Sequence, residues 1–255
     1  MLSRDKYFIG LAEKGTRDDG RKLDEFRKVE IQTGVVEKAE GSALVKLGST
    51  QILAGIKMDV KAPFADTPDE GVLMAGAEFS PIASPLFESG PPSIQAIELA
   101  RVVDRGIRES HAIDLEKLCI TKGEKVWIVN VDIHVLNNGG NMIDAAGLAA
   151  IAALLDTKMP KYENDKVIST EKKGKLPVTC KPVAVTHIKI GNNLFVDPLV
   201  EEDSVSDSKL TVTTKDDGNI SSLQKSGSKG LTLKEIEEMF DRSIKNGKEL
   251  RKLLK

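Results

Sequence analysis

Two aspartates, six residues apart, stand in an acidic segment that directly follows a predicted strand. Asp197 opens the segment and Asp203 closes it, with Glu201 and Glu202 between them. Carboxylates in this arrangement could hold Mg²⁺ or act as a general acid and a general base. The alternative is a solvated acidic loop without a chemical role, and the spacing alone favours that alternative.

A row of arginines follows one face of a predicted helix. Arg101, Arg105 and Arg108 lie with Glu98 on the face opposite the apolar stripe. Guanidinium groups bind phosphates through paired hydrogen bonds, so the row could hold the backbone of a nucleic acid. The alternative is a salt-bridged outer face, in which Asp104 reaches Arg101 and Arg108. The like charges of Arg101 and Arg105 cost roughly 0.2–0.5 kcal/mol in an isolated helix, which mildly favours an anionic partner.

A glycine-rich turn over residues 137–141 (NNGGN) leads into a predicted helix of small residues. Such a turn can bind an anion through free N–H groups and the helix dipole. A hydroxyl and a cation would strengthen that signal, but Met142 and Ile143 stand there instead. The histidines and the two cysteines show no metal-ligand spacing, and no Walker loop or dinucleotide fingerprint occurs. We therefore predict neither a metal nor a cofactor.

The first part of the chain alternates between predicted strands and helices. A helix is expected over residues 4–14, and a longer one over 93–110. Strict alternation predicts strands over 52–60 and 126–136, and Lys57 lies on the polar face of the first. Residues 62–92, rich in Pro and Gly, are predicted to form an exposed loop.

A polar, lysine-rich stretch over residues 157–180 is predicted to connect two halves of the protein. The second half contains strands over 183–190, 194–196, 210–214 and 219–224. It closes with a helix, since Thr232 and Glu235 have the spacing of a capping box. Strands followed by a helix in each half favour an α+β fold over a doubly wound sheet. The predicted division is a helix and arm over 1–20, a first half over 21–165 and a second half over 181–255.

The composition indicates a globular protein. The 255 residues suffice for one large domain or two small ones, and the formal net charge is only -2. With so small a charge, any contact with nucleic acid must come from a local basic patch. No apolar run reaches the roughly 20 residues that span a bilayer, and the N-terminus lacks the features of a signal peptide. We therefore expect a cytoplasmic protein with no membrane segment.

Several motifs, in the same order along the chain, resemble those of ribonuclease PH-like proteins. They are RDDGR at 17–21, GST at 48–50, ELARVVDRGIRES at 98–110, the strand, turn and helix of 131–154, and FVDPLVEEDSVSDSKLTVT at 195–213. The resemblance implies an α+β, ribonuclease PH-like fold of the ribosomal protein S5 domain 2-like type, with mixed sheets and helices in two halves. Within that family the chain is most similar to the non-catalytic ring subunit of the archaeal exosome.

Departures from the family's active pattern predict a subunit without phosphorolytic activity. The resemblance places Ile94 and Gln95 where active members carry two arginines. Met142 and Ile143 stand where active members have a hydroxyl residue followed by arginine. Losing a single donor that stabilises an oxyanion commonly costs about 10²–10³ in rate. With several donors replaced, no catalytic residue is assigned.

The resemblance also implies partners. An alternating trimer of dimers would join this chain to a catalytic ribonuclease PH-like sister subunit, with RNA-binding cap proteins on the ring. That ring would degrade single-stranded RNA from its 3′ end by phosphorolysis. Arg101 and Arg105 are the best candidates for contact with the RNA backbone, and Arg108 and Lys57 are weaker ones.

Asp197 and Asp203 match the two acidic positions of active members. We interpret them as a vestigial pair, because the phosphate-binding residues are replaced. The alternative function is an active phosphorolytic 3′–5′ exoribonuclease that uses these two aspartates. A third alternative is a domain of unrelated function that shares only the fold.

Overall fold

A computed structural model describes residues 2–254, which form five α-helices and twelve β-strands. The helices are α1 (Leu2–Glu13), α2 (Ile94–Glu109), α3 (Met142–Asp156), α4 (Val200–Ser204) and α5 (Leu233–Arg251). The strands are β1 (Val29–Thr33), β2 (Gly41–Leu47), β3 (Thr50–Lys61), β4 (Val72–Phe79), β5 (Cys119–Thr121), β6 (Lys125–Asn137), β7 (Lys158–Glu163), β8 (Lys166–Lys175), β9 (Val183–Ile190), β10 (Asn193–Val196), β11 (Ser208–Thr214) and β12 (Ile220–Ser226).

Six strands of the first half form one mixed sheet. Its order is β1-β2-β3-β6-β4, with β5 paired to one end of β6. All pairings are antiparallel except that of β4 with β6. The predicted alternation is visible in β3, where Ile52, Ala54 and Ile56 are fully buried while Lys57 is exposed. One face of this sheet therefore forms part of the core.

The second half contributes an antiparallel sheet in the order β10-β9-β11-β12. Almost every residue of β9 is buried, because α3 and α5 both pack against it. Neighbouring residues of β9 accordingly contact different helices: Thr186 bonds to Asp144 of α3, and His187 bonds to Ser243 of α5. Helices α2 and α3 contact strands of both sheets, so they join the two halves into one core.

The small residues of α3 allow this close packing. Ala145, Ala146, Ala149, Ala150 and Ala153 are essentially inaccessible to solvent. A helix that is packed on all sides has apolar residues on every face, and the sequence of α3 shows this pattern. The α+β fold predicted from the order of elements is confirmed.

Most predicted elements are present, with small shifts of their ends. The capping box of Thr232 and Glu235 starts α5 as expected, with Glu235 N–H donating to the Thr232 hydroxyl at 3.3 Å. The loop prediction for residues 62–92 is wrong, and the predicted connection over 157–180 contains strands that the sequence pattern did not indicate. Residues 62–92 include β4, and residues 157–180 include the β7–β8 hairpin. Among residues 2–254 no helix has the length and apolar character needed to cross a bilayer.

Candidate nucleic-acid interface and the Asp197 cage

Helix α2 and strand β12 enclose a surface groove of about 320 Å³, the α2–β12 groove. Arg101 and Arg105 line it from the helix. The opposite wall comes from β12 and includes Ser222, Leu223 and Gln224. Its rim is partly apolar, and Ile94 at the start of α2 is 86% exposed. The groove thus combines cationic, polar and apolar groups at the protein surface.

The start of α2 fixes the direction of this arginine face. The Ser93 hydroxyl accepts a hydrogen bond from the N–H of Ala96 at 3.2 Å and caps the helix. The buried stripe includes Leu99, Val103 and Ile107. Residues on the opposite side of a 3.6-residue helix then face solvent. The sequence therefore predicted this face correctly.

Arg101 and Arg105 are free cations within the described chain. Neither guanidinium forms a salt bridge or a side-chain hydrogen bond with any residue between 2 and 254. Asp104, which by spacing could have paired with Arg101, instead holds Arg108 at 2.8 Å. Glu98 lines the same groove and bonds to Gln224 at 3.4 Å. Two like charges thus lie one helical turn apart, and no side chain among the described residues is paired with either.

The other two predicted RNA-binding residues are already engaged. Arg108 donates to Asp104 and, at 2.9 Å, to the carbonyl of Leu73. Lys57 lies 2.8 Å from the buried carboxylate of Glu40. Paired charges attract a phosphate less strongly than free ones, so Arg101 and Arg105 are the stronger candidates.

Asp197 is completely buried at the junction of the two halves, and it is not part of a solvated acidic loop. Arg27 donates to its carboxylate from the backbone N–H at 2.9 Å, from Nε at 2.8 Å and from Nη2 at 2.7 Å. Arg21 Nη1 adds a bond of 2.9 Å, and Asn141 Nδ2 one of 2.8 Å. We call Arg21, Arg27 and Asn141 the Asp197 cage. Five donors occupy the four or so lone-pair positions of a carboxylate.

Arg27 of the same cage also binds the glycine-rich turn. Arg27 also donates to the carbonyls of Gly139, at 2.7 Å, and Gly140, at 3.1 Å. Gly140 has a φ of 93° and lies so close to the next segment that a Cβ there would meet the carbonyl of Pro198 at 2.5 Å. The N–H of Gly140 is used by the Asn138 side chain at 3.1 Å. The turn therefore faces protein and not an open cavity.

A buried chain of polar groups continues behind the turn. The Asp144 carboxylate accepts from Asn141 and from both the N–H and the hydroxyl of Thr186, at 2.7–2.8 Å. The Thr186 hydroxyl in turn lies 2.8 Å from that of Thr211, which lines the α2–β12 groove. Burial raises the pKa of Asp144 to about 7, although its three hydrogen-bond donors oppose the rise.

The second aspartate of the acidic pair is held separately. Asp203 is paired with Lys209 at 2.6 Å, whereas Asp197 is held by arginines. Within residues 2–254 no three His, Cys, Asp or Glu side chains are grouped as a metal site would require. Two guanidinium groups against Asp197 also repel a cation. The arrangement suits a structural role for both aspartates.

The four replaced positions occupy three different environments. Ile94 lines the α2–β12 groove, and Gln95 lines a separate cavity beside His134. Met142 and Ile143 pack against the hydrophobic core. None of these four side chains offers a cation to an anion.

Sequence reasoning missed the cage. The run RDDGR at 17–21 contributes to the resemblance but predicts no site, and no sequence pattern distinguishes Arg27. A short motif with two arginines and no apolar residue, placed before the first strand, was the available signal. Asp144 was also missed, because it stands among the small apolar residues of α3.

Comparisons with known proteins agree with this architecture. The family model "3' exoribonuclease family, domain 1" matches residues 25–160, and "domain 2" of that family matches residues 180–246. The chain therefore belongs to the ribonuclease PH-like 3′ exoribonuclease family. Its predicted membership of this family, and its predicted fold, are confirmed.

Within the family the chain is similar to proteins named exosome complex component Rrp42. It is 53% identical to that of Archaeoglobus fulgidus, over all of this chain and 96% of the relative. It is 49% identical to that of Thermococcus gammatolerans, over 99% of this chain and 94% of the relative. A chain of the A. fulgidus exosome with RNA bound to the active site superposes with a TM-score of 0.93 at 52% identity, covering 99% and 98% of the two chains. The predicted likeness to the archaeal exosome subunit is confirmed.

Proposed function

We propose that this chain is a non-catalytic ring subunit of an archaeal exosome, a complex that degrades RNA from the 3′ end by phosphorolysis. The observation that carries the proposal is that the glycine-rich turn packs against protein, with its carbonyls bonded to Arg27, and, within the described residues, leaves no open site for phosphate. Phosphorolysis must bind inorganic phosphate beside the RNA backbone, and here the cations near the turn already hold Asp197. The chain would therefore support the active site of a sister subunit.

A phosphate that binds to the protein exchanges its water molecules for hydrogen-bond donors of the protein. A phosphate that leaves water needs several hydrogen-bond donors and a compensating charge. Met142 and Ile143 supply neither, and the turn carbonyls of Gly139 and Gly140 are directed at Arg27. An arriving phosphate would have to displace a fully bonded, buried carboxylate.

The second part of the proposal is that the α2–β12 groove guides single-stranded RNA. Arg101 and Arg105 line the groove from one face of α2, and neither is paired with another side chain within residues 2–254. Contacts of this kind position a strand without reading its sequence. Leu223 and Ile97, both about half exposed, offer apolar surface beside the charges for a base.

The implied partners follow from the relatives. The A. fulgidus structure is described as an exosome with RNA at its active site, and a second similar structure, with a TM-score of 0.87 and 50% identity, as an archaeal exosome core. We propose a catalytic ribonuclease PH-like sister subunit in an alternating trimer of dimers, with RNA-binding cap proteins. Cytoplasmic localisation belongs to the same proposal.

The test compares each chain alone with the mixture. This chain and its catalytic sister are purified separately and together, then supplied with Mg²⁺, inorganic phosphate and single-stranded RNA. We expect nucleoside diphosphates from the mixture and none from this chain alone. Release of nucleoside diphosphates by this chain alone would instead establish the alternative, an active enzyme that uses Asp197 and Asp203. Failure to assemble with any ribonuclease PH-like sister would contradict the ring assignment.

A further inference from the structure

The Asp197 cage has the composition of a built oxyanion site. Two guanidinium groups, a side-chain amide and a backbone N–H converge on one buried carboxylate. Charged donors of this kind are the usual partners of bound carboxylates and phosphates. We propose that the cage is an oxyanion-binding site whose occupant is the protein's own Asp197 side chain, and that it binds a free carboxylate or phosphate once that side chain is removed.

The donors are held in place by groups other than Asp197. Arg27 is fixed by the carbonyls of Gly139 and Gly140. Arg21 is fixed by Asp19, at 2.6 Å from Nε, and by the carbonyl of Glu25, at 2.8 Å from Nη1. A site whose donors are pre-positioned loses less entropy when a ligand binds. The cage therefore keeps its shape when the carboxylate is absent.

The charges of the cage require an anion. The Arg21 and Arg27 side chains are only 10% and 8% exposed. Asp19 partly neutralises Arg21, but the part of the chain between residues 2 and 254 offers Arg27 no salt-bridge partner except Asp197. A buried guanidinium without a counter-ion is unstable, so the emptied cage would attract a small anion from solution.

The backbone conformation at Asp197 allows substitution by Gly or Asn without strain. Its φ is 50°, a left-handed conformation that Gly adopts freely and that Asn tolerates. Asp197→Gly removes the carboxylate together with its CH₂ group, which are the atoms that an acetate ion would replace. Asp197→Asn removes the charge but fills the space. The two variants thus separate the loss of charge from the opening of the cage.

The test measures thermal unfolding of the full-length chain and of both variants in rising acetate, with sodium chloride at matched ionic strength as the control. Both variants should unfold on the order of 5–15 °C below the unmodified chain. Acetate should restore most of this loss for Asp197→Gly, in a saturable way, and should leave Asp197→Asn and the unmodified chain nearly unchanged. Inorganic phosphate in place of acetate shows whether the opened cage also accepts tetrahedral oxyanions.

Equal responses of the two variants to acetate, or a response no larger than that to chloride, would overturn the proposal. So would an Asp197→Gly chain that stays unfolded in saturating acetate and phosphate. In a second variant, Arg27→Met combined with Asp197→Gly, the dependence on acetate should disappear, because Asp19 still neutralises Arg21 and the cage cation without another salt-bridge partner among the described residues is gone. The readout is stability, so the result is independent of whether the chain guides RNA in a ring.

Discussion

Arg17 of the N-terminal arm and Glu202 of the second half form a bidentate salt bridge. Arg17 Nε lies 2.9 Å from Glu202 Oε1, and Nη2 lies 2.5 Å from Oε2. Both side chains are almost completely buried. Arg17 Nη1 donates to the carbonyl of Val196 and Nη2 to that of Asp197, each at 2.9 Å. The pair therefore holds the segment around Asp197 against the N-terminal arm.

Replacing Arg17 with Met should destabilise the protein by about 3–5 kcal/mol, because Glu202 would stay buried as an unpaired charge. The double variant Arg17→Met/Glu202→Leu should lose less than the single variant, since no charge is left without a partner. Urea unfolding of the two variants and the unmodified chain measures both values. A single variant within about 1 kcal/mol of the unmodified chain would show that the pair is not coupled to folding.

Charge reversal in the α2–β12 groove should weaken RNA binding. Arg101→Glu/Arg105→Glu is expected to leave the assembled ring intact but to lower its affinity for single-stranded RNA. Two lost phosphate contacts would reduce the slope of log affinity against log salt by about 1.4, at roughly 0.7 for each contact. Fluorescence titration at several salt concentrations gives this slope.

The matched control for that experiment is Lys234→Glu/Lys248→Glu. Both lysines are exposed on α5, and neither forms a salt bridge within the described residues. The change in net charge is the same, so the control removes the effect of overall charge. Intact affinity in the groove variant, or an equal loss in the control, would contradict the groove assignment.

Gly140 lies so close to the segment after Asp197 that adding a single methyl group there should strongly destabilise the protein. Gly140→Ala places a Cβ 2.5 Å from the Pro198 carbonyl at a φ of 93°, so we expect a loss of at least about 2 kcal/mol. Gly10→Ala is the control: it lies within α1 and meets no atom within 4 Å, and it should be neutral or stabilising by about 0.5–1 kcal/mol. Chemical denaturation measures both.

His187 should make the protein sensitive to mild acid. Burial, together with the nearby Arg242 charge, lowers its pKa to about 3, and its Nε2 is bonded to Ser243 at 2.7 Å. The unfolded chain takes up a proton at this residue near pH 6.5, whereas the folded chain does not. Stability is therefore lost as the pH falls below 6.5 towards 3.

The raised pKa of Asp144 acts in the opposite direction between pH 4 and 7, so the variant His187→Leu is needed to isolate the histidine. Between pH 7.5 and 5 the unmodified chain should lose about 2 kcal/mol more stability than His187→Leu, at 1.36 kcal/mol for each pH unit below 6.5. Urea unfolding at the two pH values measures the difference. Parallel losses in the two proteins would show that His187 is not the group that titrates.

The sequence correctly predicted the exposed faces of α2 and β3, which depend only on local periodicity. The apolar stripe of α2 placed Arg101 and Arg105 on an outer face, and the strict alternation of β3 placed Lys57 on the polar side. These patterns are set by the geometry of a single element, so one element suffices to read them. The β7–β8 hairpin was missed because its lysine-rich strands are largely exposed and bury little apolar surface.

The Asp197 cage could not be predicted from such patterns. The cage and the aspartate that it holds come from three separate stretches of the chain, and 170 residues separate Arg27 from Asp197. Periodicity contains no information on which arginine meets which carboxylate. A charged residue near a loop is by default predicted to be exposed to solvent. Only the folded structure shows that Asp197 is buried. The RNA-binding role of Arg101 and Arg105 stays a prediction.

The long sequence separation within the Asp197 cage has a consequence for the chain during its synthesis. The N-terminal arm and the first half leave the ribosome with Arg17, Arg21 and Arg27 before residues 197–202 exist. Contacts this distant form late, after the loop between them has been closed. The nascent arm and first half therefore carry three cations whose final partners have not been made. Their folding can be completed only when the second half arrives, so the two halves mature as one unit.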